Sequence, residues 1–164
     1  MFNNGLLAKQ TWRLLHDKTS LFCKVFKSKY FPNGTIMDVA NPSFASYAWR
    51  SIIWGREVIK KGAIWRIGDG KFVDIWVDRW LPRKYSPRVL SSWPDELTDS
   101  KVCPLIDGDQ KQWKTEVLEN ILLGFEAEIF LTIPLYCTEQ LDVPTWPYNP
   151  RGEYTVKFGY QFLQ

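Results

Sequence analysis

Three carboxylates, Asp69, Asp74 and Asp78, lie close together in the segment WRIGDGKFVDIWVDRWLP, residues 65–82. Converging carboxylates can hold Mg²⁺ for two-metal phosphoryl transfer. Their spacing argues for a plainer role. Asp69 sits inside Gly68-Asp69-Gly70, where an Asp bonds its own backbone in a tight turn. Asp74 and Asp78 share a face of an expected strand, about 13 Å apart, too far to share one ion unless the strand bends after Trp76. All three therefore read as turn and surface acids. Nucleophilic and zinc chemistry have even less to draw on. His16 is the only histidine, and Cys23, Cys103 and Cys137 are scattered, with no C-x-x-C pair. Gly68-Asp69-Gly70-Lys71 has too few glycines, and no Ser or Thr after the lysine, to cradle a phosphate. The expectation is no catalytic residue, no metal ligand and no cofactor.

The cations make the stronger pattern. Residues 1–66 hold 11 Lys/Arg against 3 Asp/Glu, a net of +8, while residues 67–164 hold 10 against 15, a net of −5. A basic half is the footprint of a polyanion partner. The competing reading is ordinary solvated helix faces, with the acidic half docked on the basic one. The candidate nucleic-acid-binding residues are Lys9 and Arg13, then Lys24, Lys27 and Lys29, then Arg50, Arg56, Lys60 and Lys61, and last Arg66. Such contacts neutralise phosphates of RNA or DNA and carry little sequence information. Tyr47 and Trp54 are candidates for base stacking, although partly buried helix residues are the more ordinary reading. The nine tryptophans as a set read first as large core side chains.

Three helices must position these cations. Residues 5–16 place Leu7, Thr11, Leu14 and Leu15 near one face. Ser20 is a good N-cap for a helix over 21–30. A third helix fits 46–61, with Gly62 at its C-terminal cap. Residues 31–34 form a turn and 35–44 a loop. Trp65 and Ile67, the Gly-Asp-Gly turn and residues 72–76 predict a β-hairpin over 64–77. Residues 82–104 read as an irregular, flexible linker containing Pro82, Pro87 and Pro94. Asp109 is expected to cap a helix over 110–123, ended by Gly124, and a short helix follows at 126–132 before Pro134. Residues 143–146 and 153–156 suggest a second hairpin, and a last helix begins at Thr155. The expected fold is α+β, mostly helical, with two short β-hairpins and a long irregular middle. Its expected parts are 1–81, 82–104 and 105–164.

Scattered cysteines and the lack of a signal peptide point to an intracellular protein of nucleus or cytoplasm, not a secreted one. No apolar run approaches the ~20 residues that span a bilayer, so no membrane partner is expected.

Several blocks, in order, also carry a family resemblance. Trp-Arg-Ile-Gly-Asp-Gly at 65–70, followed by Ile75-Trp76-x-Asp78-x-Trp80-Leu81-Pro82, resembles a signature downstream of the polymerase in plant LINE-type (non-LTR) retrotransposon reverse transcriptases, proteins that often carry a provisional ribonuclease H label. Leu6 to Gln10 with Trp12 to Leu15, Lys29 to Pro32, and Trp49 to Ile52 with Gly55-Arg56 and Lys61-Gly62 resemble its earlier blocks. Ile133 to Leu135, Asp142 to Trp146 and Gly152 to Lys157 resemble its last. The Tyr-x-Asp-Asp polymerase signature does not occur in the chain. The resemblance thus implies the connector between polymerase and zinc-binding segment, cut at both ends: a non-catalytic piece whose further partners would be the polymerase and ribonuclease-H-like domains. A protein-interaction module, or a decayed element with no independent function, is the alternative. An enzyme built on the 69/74/78 carboxylates is a third.

Overall fold

The computed structural model describes residues 2–83, 86–92, 94, 99–135 and 140–164. Among these the fold is α+β, with six α-helices and two small antiparallel two-stranded sheets. The chain forms two compact units, Met1–Ala63 with Trp146–Gln164, and Ile64–Thr145. The expected boundaries at 82 and 104 fall inside the second unit. The expected split of charge follows the observed units closely. The first holds 12 Lys/Arg against 4 Asp/Glu, and the second 9 against 14.

The first unit holds helices α1 (Phe2–His16), α2 (Leu21–Tyr30), α3 (Tyr47–Gly62) and α6 (Val156–Phe162), and the last three start where a side-chain cap starts them. The hydroxyls of Ser20, Ser46 and Thr155 accept the amides of Cys23, Trp49 and Phe158, satisfying donors that a helix leaves orphaned. Asp17 reinforces the α2 start by accepting from the amides of Thr19 and Ser20. Helices α1 and α3 cross closely at Gly55, where a Cβ would run into the Leu7 carbonyl. Thr11, fully buried in this crossing, donates its hydroxyl to the Ile52 carbonyl at 2.8 Å. One core gathers Leu14, Phe31, Ile36, Trp49 and Ile52; another gathers Ala8, Trp12, Ile59, Trp146 and Tyr154. Gly62 was expected as a cap. It is the last helical residue instead, and it must be small because Trp146 packs where its Cβ would be.

The second unit departs more from expectation. Strand β1 (Ile64–Arg66) pairs antiparallel not with residues 72–76 but with β4 (Val143–Thr145), nearly eighty positions away. The expected 64–77 hairpin does not form because its turn is held otherwise. The Asp142 carboxylate accepts the amides of Gly68 at 2.7 Å and of Gly70 and Phe72 at 2.9 Å. Gly70 adopts φ +71°, the left-handed region that glycine tolerates. Residues 70–75 run instead beside 100–103, joined by Ile75 N–H to Ser100 O and Val102 N–H to Val73 O.

The second expected hairpin is also absent. Residues 143–145 are committed to β1, and the loop that follows is closed by a bond from Trp146 N–H to Gly152 O, with Asn149 N–H to Trp146 O and Gly152 N–H to Asn149 O inside it.

A hairpin does occur, at β2 (Ile106–Asp107) and β3 (Gln112–Trp113), and its second strand occupies the start of the helix expected from 110. Asp107, not Asp109, organises it, accepting the amides of Asp109 and Gln110, while Lys111 takes φ +53°. Helix α4 (Thr115–Ile121) is therefore short, and Gly124 opens rather than closes a helix, α5 (Gly124–Thr132).

The expected linker has little regular structure where it is described, but it is tied down. Val89 and Val102 lie in the core with Trp80, Leu81, Trp113, Leu118 and Phe130. The fully buried Glu126 carboxylate accepts the amides of Leu90 and Ser91 and the Ser91 hydroxyl. Residues 84, 85, 93, 95–98 and 136–139, Cys137 among them, lie outside the described residues.

Candidate nucleic-acid interface

The three aspartates are occupied by the backbone. Asp69 accepts from the Lys71 amide and pairs with its ammonium at 3.2 Å. The chain does bend after Asp74. The Asp74 amide donates to Asp78 Oδ2 at 2.7 Å, and Asp74 Oδ1 accepts from the Trp76 and Val77 amides. The other Asp74 oxygen meets the Ser100 hydroxyl. These are turn-stabilising acids. Among the described residues no group of three or more His, Cys, Asp or Glu is placed to hold a metal ion. The Cys103 thiol is pushed up from its ordinary value, first by burial and then by the nearby Asp99 and Asp69 charges, which makes it a poor nucleophile.

Two of the ten candidate cations are spent inside the first unit. Lys9 donates its ammonium to the Tyr154 carbonyl at 2.9 Å. Arg56 donates to the carbonyls of Ile36 and Val39, pinning the 35–44 loop onto α3, and lies 3.5 Å from the Glu57 carboxylate. Both are structural cations, because a buried carbonyl needs a donor.

The exposed candidates in this unit are Arg13, Lys24, Lys27, Lys29, Arg50, Lys60 and Lys61. Arg13 lies over the Phe22 ring at 5.0 Å, and Lys29 over the Tyr30 ring at 5.3 Å. On α2, Phe22, Cys23, Phe26 and Tyr30 turn inward, so Lys24, Lys27 and Lys29 are left on the outer half. Tyr30 ties this helix to the start of α3. Its phenol bonds the Ser46 hydroxyl at 2.8 Å, and its ring stacks on Trp49 at 4.2 Å. That bond with Ser46 is the main cause holding the Tyr30 phenol below its ordinary value. The α2 cations are thereby fixed next to the beginning of α3, the helix that carries Arg50. Lys60 and Lys61 sit in the last turn of α3, where cations complement the helix dipole. Arg66 is exposed on β1 of the second unit.

Tyr47 and Trp54 are not partly buried, as the ordinary reading held. They are 87% and 71% exposed, and Phe44 just before the helix is 86% exposed. Sequence reasoning passed over Phe44. Its only signal was a large ring at the end of a loop with no hydrophobic period.

No protein-family model matches the chain, and no solved structure matches it. Two relatives in Arabidopsis thaliana do. An uncharacterized mitochondrial protein is 44% identical over 80 residues, which is 49% of this chain and 52% of the relative. A protein named "Putative ribonuclease H protein" is 28% identical over 186 aligned positions, covering 98% of this chain and 27% of the relative. The chain thus spans about half or less of the relatives it matches. Among the described residues no helix is long and apolar enough to cross a membrane.

Proposed function

We propose that this chain is a connector segment of a plant LINE-type retrotransposon reverse-transcriptase polyprotein, non-catalytic in itself, whose basic unit holds RNA or DNA through phosphates. The ordered blocks of the sequence and the ribonuclease H name of a relative that aligns along nearly the whole chain support the retrotransposon part. One observation carries the binding part. Seven of the nine candidate cations in the first unit remain exposed, in a unit with 12 Lys/Arg against 4 Asp/Glu. A surface of this kind binds polyanions by releasing counterions.

Binding to single-stranded RNA and to duplex DNA, titrated at two salt concentrations, tests the reading. Affinity near physiological salt is expected to be weak, on the order of 10⁻⁴ to 10⁻⁶ M, and to fall steeply with added salt. Replacing Lys24, Lys27, Lys60 and Lys61 with Gln removes up to four phosphate contacts and lowers the log–log slope by up to about 3–4. Affinity absent at low salt, or indifferent to salt, defeats it. Templated nucleotide incorporation by the purified chain would defeat the non-catalytic assignment. A protein-interaction role is the second reading, favoured by the exposed Leu123, Phe125 and Leu131 on and beside α5 of the acidic unit.

A further inference from the structure

The outer face of α3 carries more than charge. Tyr47, Arg50, Trp54 and Lys61 recur at spacings of three, four and seven, which places them along one side of the helix. All four are exposed. The unit's other tryptophans behave differently: Trp12, Trp49 and Trp146 are 6%, 0% and 0% exposed. Packing thus accounts for three of the unit's four indoles and leaves Trp54 unaccounted for. Phe44 extends the row at the N-terminal end, and Arg50 is steadied there by a bond to the Ser43 carbonyl at 3.2 Å. Glu57 is the only acid on the helix, and Arg56 stands 3.5 Å from its carboxylate.

We propose that this face is a stacking platform for unpaired bases, so that the nucleic acid held by the basic unit is single-stranded; the proposal rests on the phosphate-binding reading above. Tyr47 and Trp54 are two helical turns apart, about 10.5 Å along the axis, or roughly three stacked-base rises of 3.4 Å. Arg50 lies between them, and Lys61 lies two turns beyond Trp54. Rings alternating with cations let bases stack while phosphates are neutralised beside them. A duplex keeps its base faces inside the helix and gains nothing from the rings. A protein partner would value the rings but not the excess of cations around them, so charge complementarity favours the nucleic acid.

The test compares a labelled oligouridylate, an abasic strand of the same length and a duplex of the same length, at one low salt concentration and one high. Tyr47→Ala and Trp54→Ala are each expected to weaken oligouridylate binding on the order of 10-fold, with no change in salt slope. Abasic and duplex affinities should stay as they are. Trp54→Phe should recover much of the loss. Both sites are exposed, and an unchanged far-ultraviolet circular dichroism spectrum verifies that the variants fold. Equal losses on all three ligands, no loss on any, or a wild-type preference for the duplex would each overturn the stacking proposal while leaving phosphate binding in place. Loss of self-association in Trp54→Ala with oligouridylate binding intact would overturn it too, in favour of a second copy on this face. No affinity for any of the three at low salt would overturn both readings together.

Discussion

Removing the Asp142 side chain should unlock the second unit. Its carboxylate is 6% exposed and accepts three amides, two on Oδ1 from Gly68 and Gly70 and one on Oδ2 from Phe72. It is the device that turns the chain after β1 and keeps β4 beside it. A hydrogen bond to a charged group contributes about 1.5–3 kcal/mol net, and a buried donor left without a partner costs about 1–3 kcal/mol. The Gly70 bond is fully buried, whereas water can reach the Gly68 and Phe72 amides once the side chain is gone. Counting about 2 kcal/mol for the first and about 1 for each of the others, Asp142→Ala should cost on the order of 3–5 kcal/mol. That is a large part of the ~5–15 kcal/mol that holds a typical domain. Asp142→Asn keeps one acceptor oxygen for the two glycines but sets an amide donor against the Phe72 N–H, so its cost should be smaller, about 1–2 kcal/mol. Urea unfolding followed by circular dichroism gives the ranking. Because two units need not melt together, amide hydrogen exchange at Gly68, Gly70 and Phe72 ties the loss to this loop. Equal midpoints for wild type and Asp142→Ala, or those amides still protected in the variant, would refute the clamp.

Two further outcomes follow from the first unit. Gly55→Ala would ordinarily raise helix stability by about 0.5–1 kcal/mol, but here its Cβ meets the Leu7 carbonyl of α1, so thermal unfolding should show a loss of about 1–3 kcal/mol instead; a gain would mean that the crossing is looser than the structure describes. The Tyr154 phenol, buried and donating to the Gly5 carbonyl at 3.1 Å, has its pKa pushed up from 10.0 to about 12 by burial. A group raised in the folded state contributes stability that is complete below its unfolded value and lost as pH climbs through the folded one. The protein should therefore weaken between about pH 10 and 12, and Tyr154→Phe should lack this part of the alkaline loss in a urea series across that range; an identical pH profile would count against the burial argument.

What could be read from the residues in advance was what is local. Ser20, Ser46 and Thr155 announce helix starts because an N-cap acts within three residues, and the structure places all three as caps. The α+β class is right, but its β part was expected from two hairpins that do not form; the strands that do form pair otherwise. The strands escaped because their partners are remote. Nothing near Trp65 says that it faces Pro144 rather than Phe72 or Val73, and Asp142, the residue that decides it, acts across some seventy positions. The run Trp113, Val117, Leu118, Ile121, Leu122 fits a helical period, yet a buried strand residue needs an apolar side chain just as a helix face does. Trp113 is buried from β3, with its indole bonded to the Ile133 carbonyl at 2.9 Å. Periodicity counts apolar positions without saying which backbone serves them.

The basic surface was legible to a similar degree and for a similar reason. Charge is visible in composition, but whether a cation is free depends on which carbonyls need a donor. Lys9 answers to Tyr154, far along the chain, and Arg56 to a loop whose path no local signal describes. The aromatic row on α3 lay in between. Its spacing was present at Tyr47, Arg50 and Trp54, but exposure had to be seen, because a helix with Trp49, Ile52, Ile53 and Ile59 on one side could have turned Trp54 inward as well. In the structure Gly55, the next residue, lies against Leu7 of α1, a turn of about 100° round the helix from the exposed Trp54. The small residue that lets the two helices touch thus also marks the side of α3 that packs. Gly55→Ala should disturb single-strand binding along with stability, whereas Trp54→Ala should disturb binding alone.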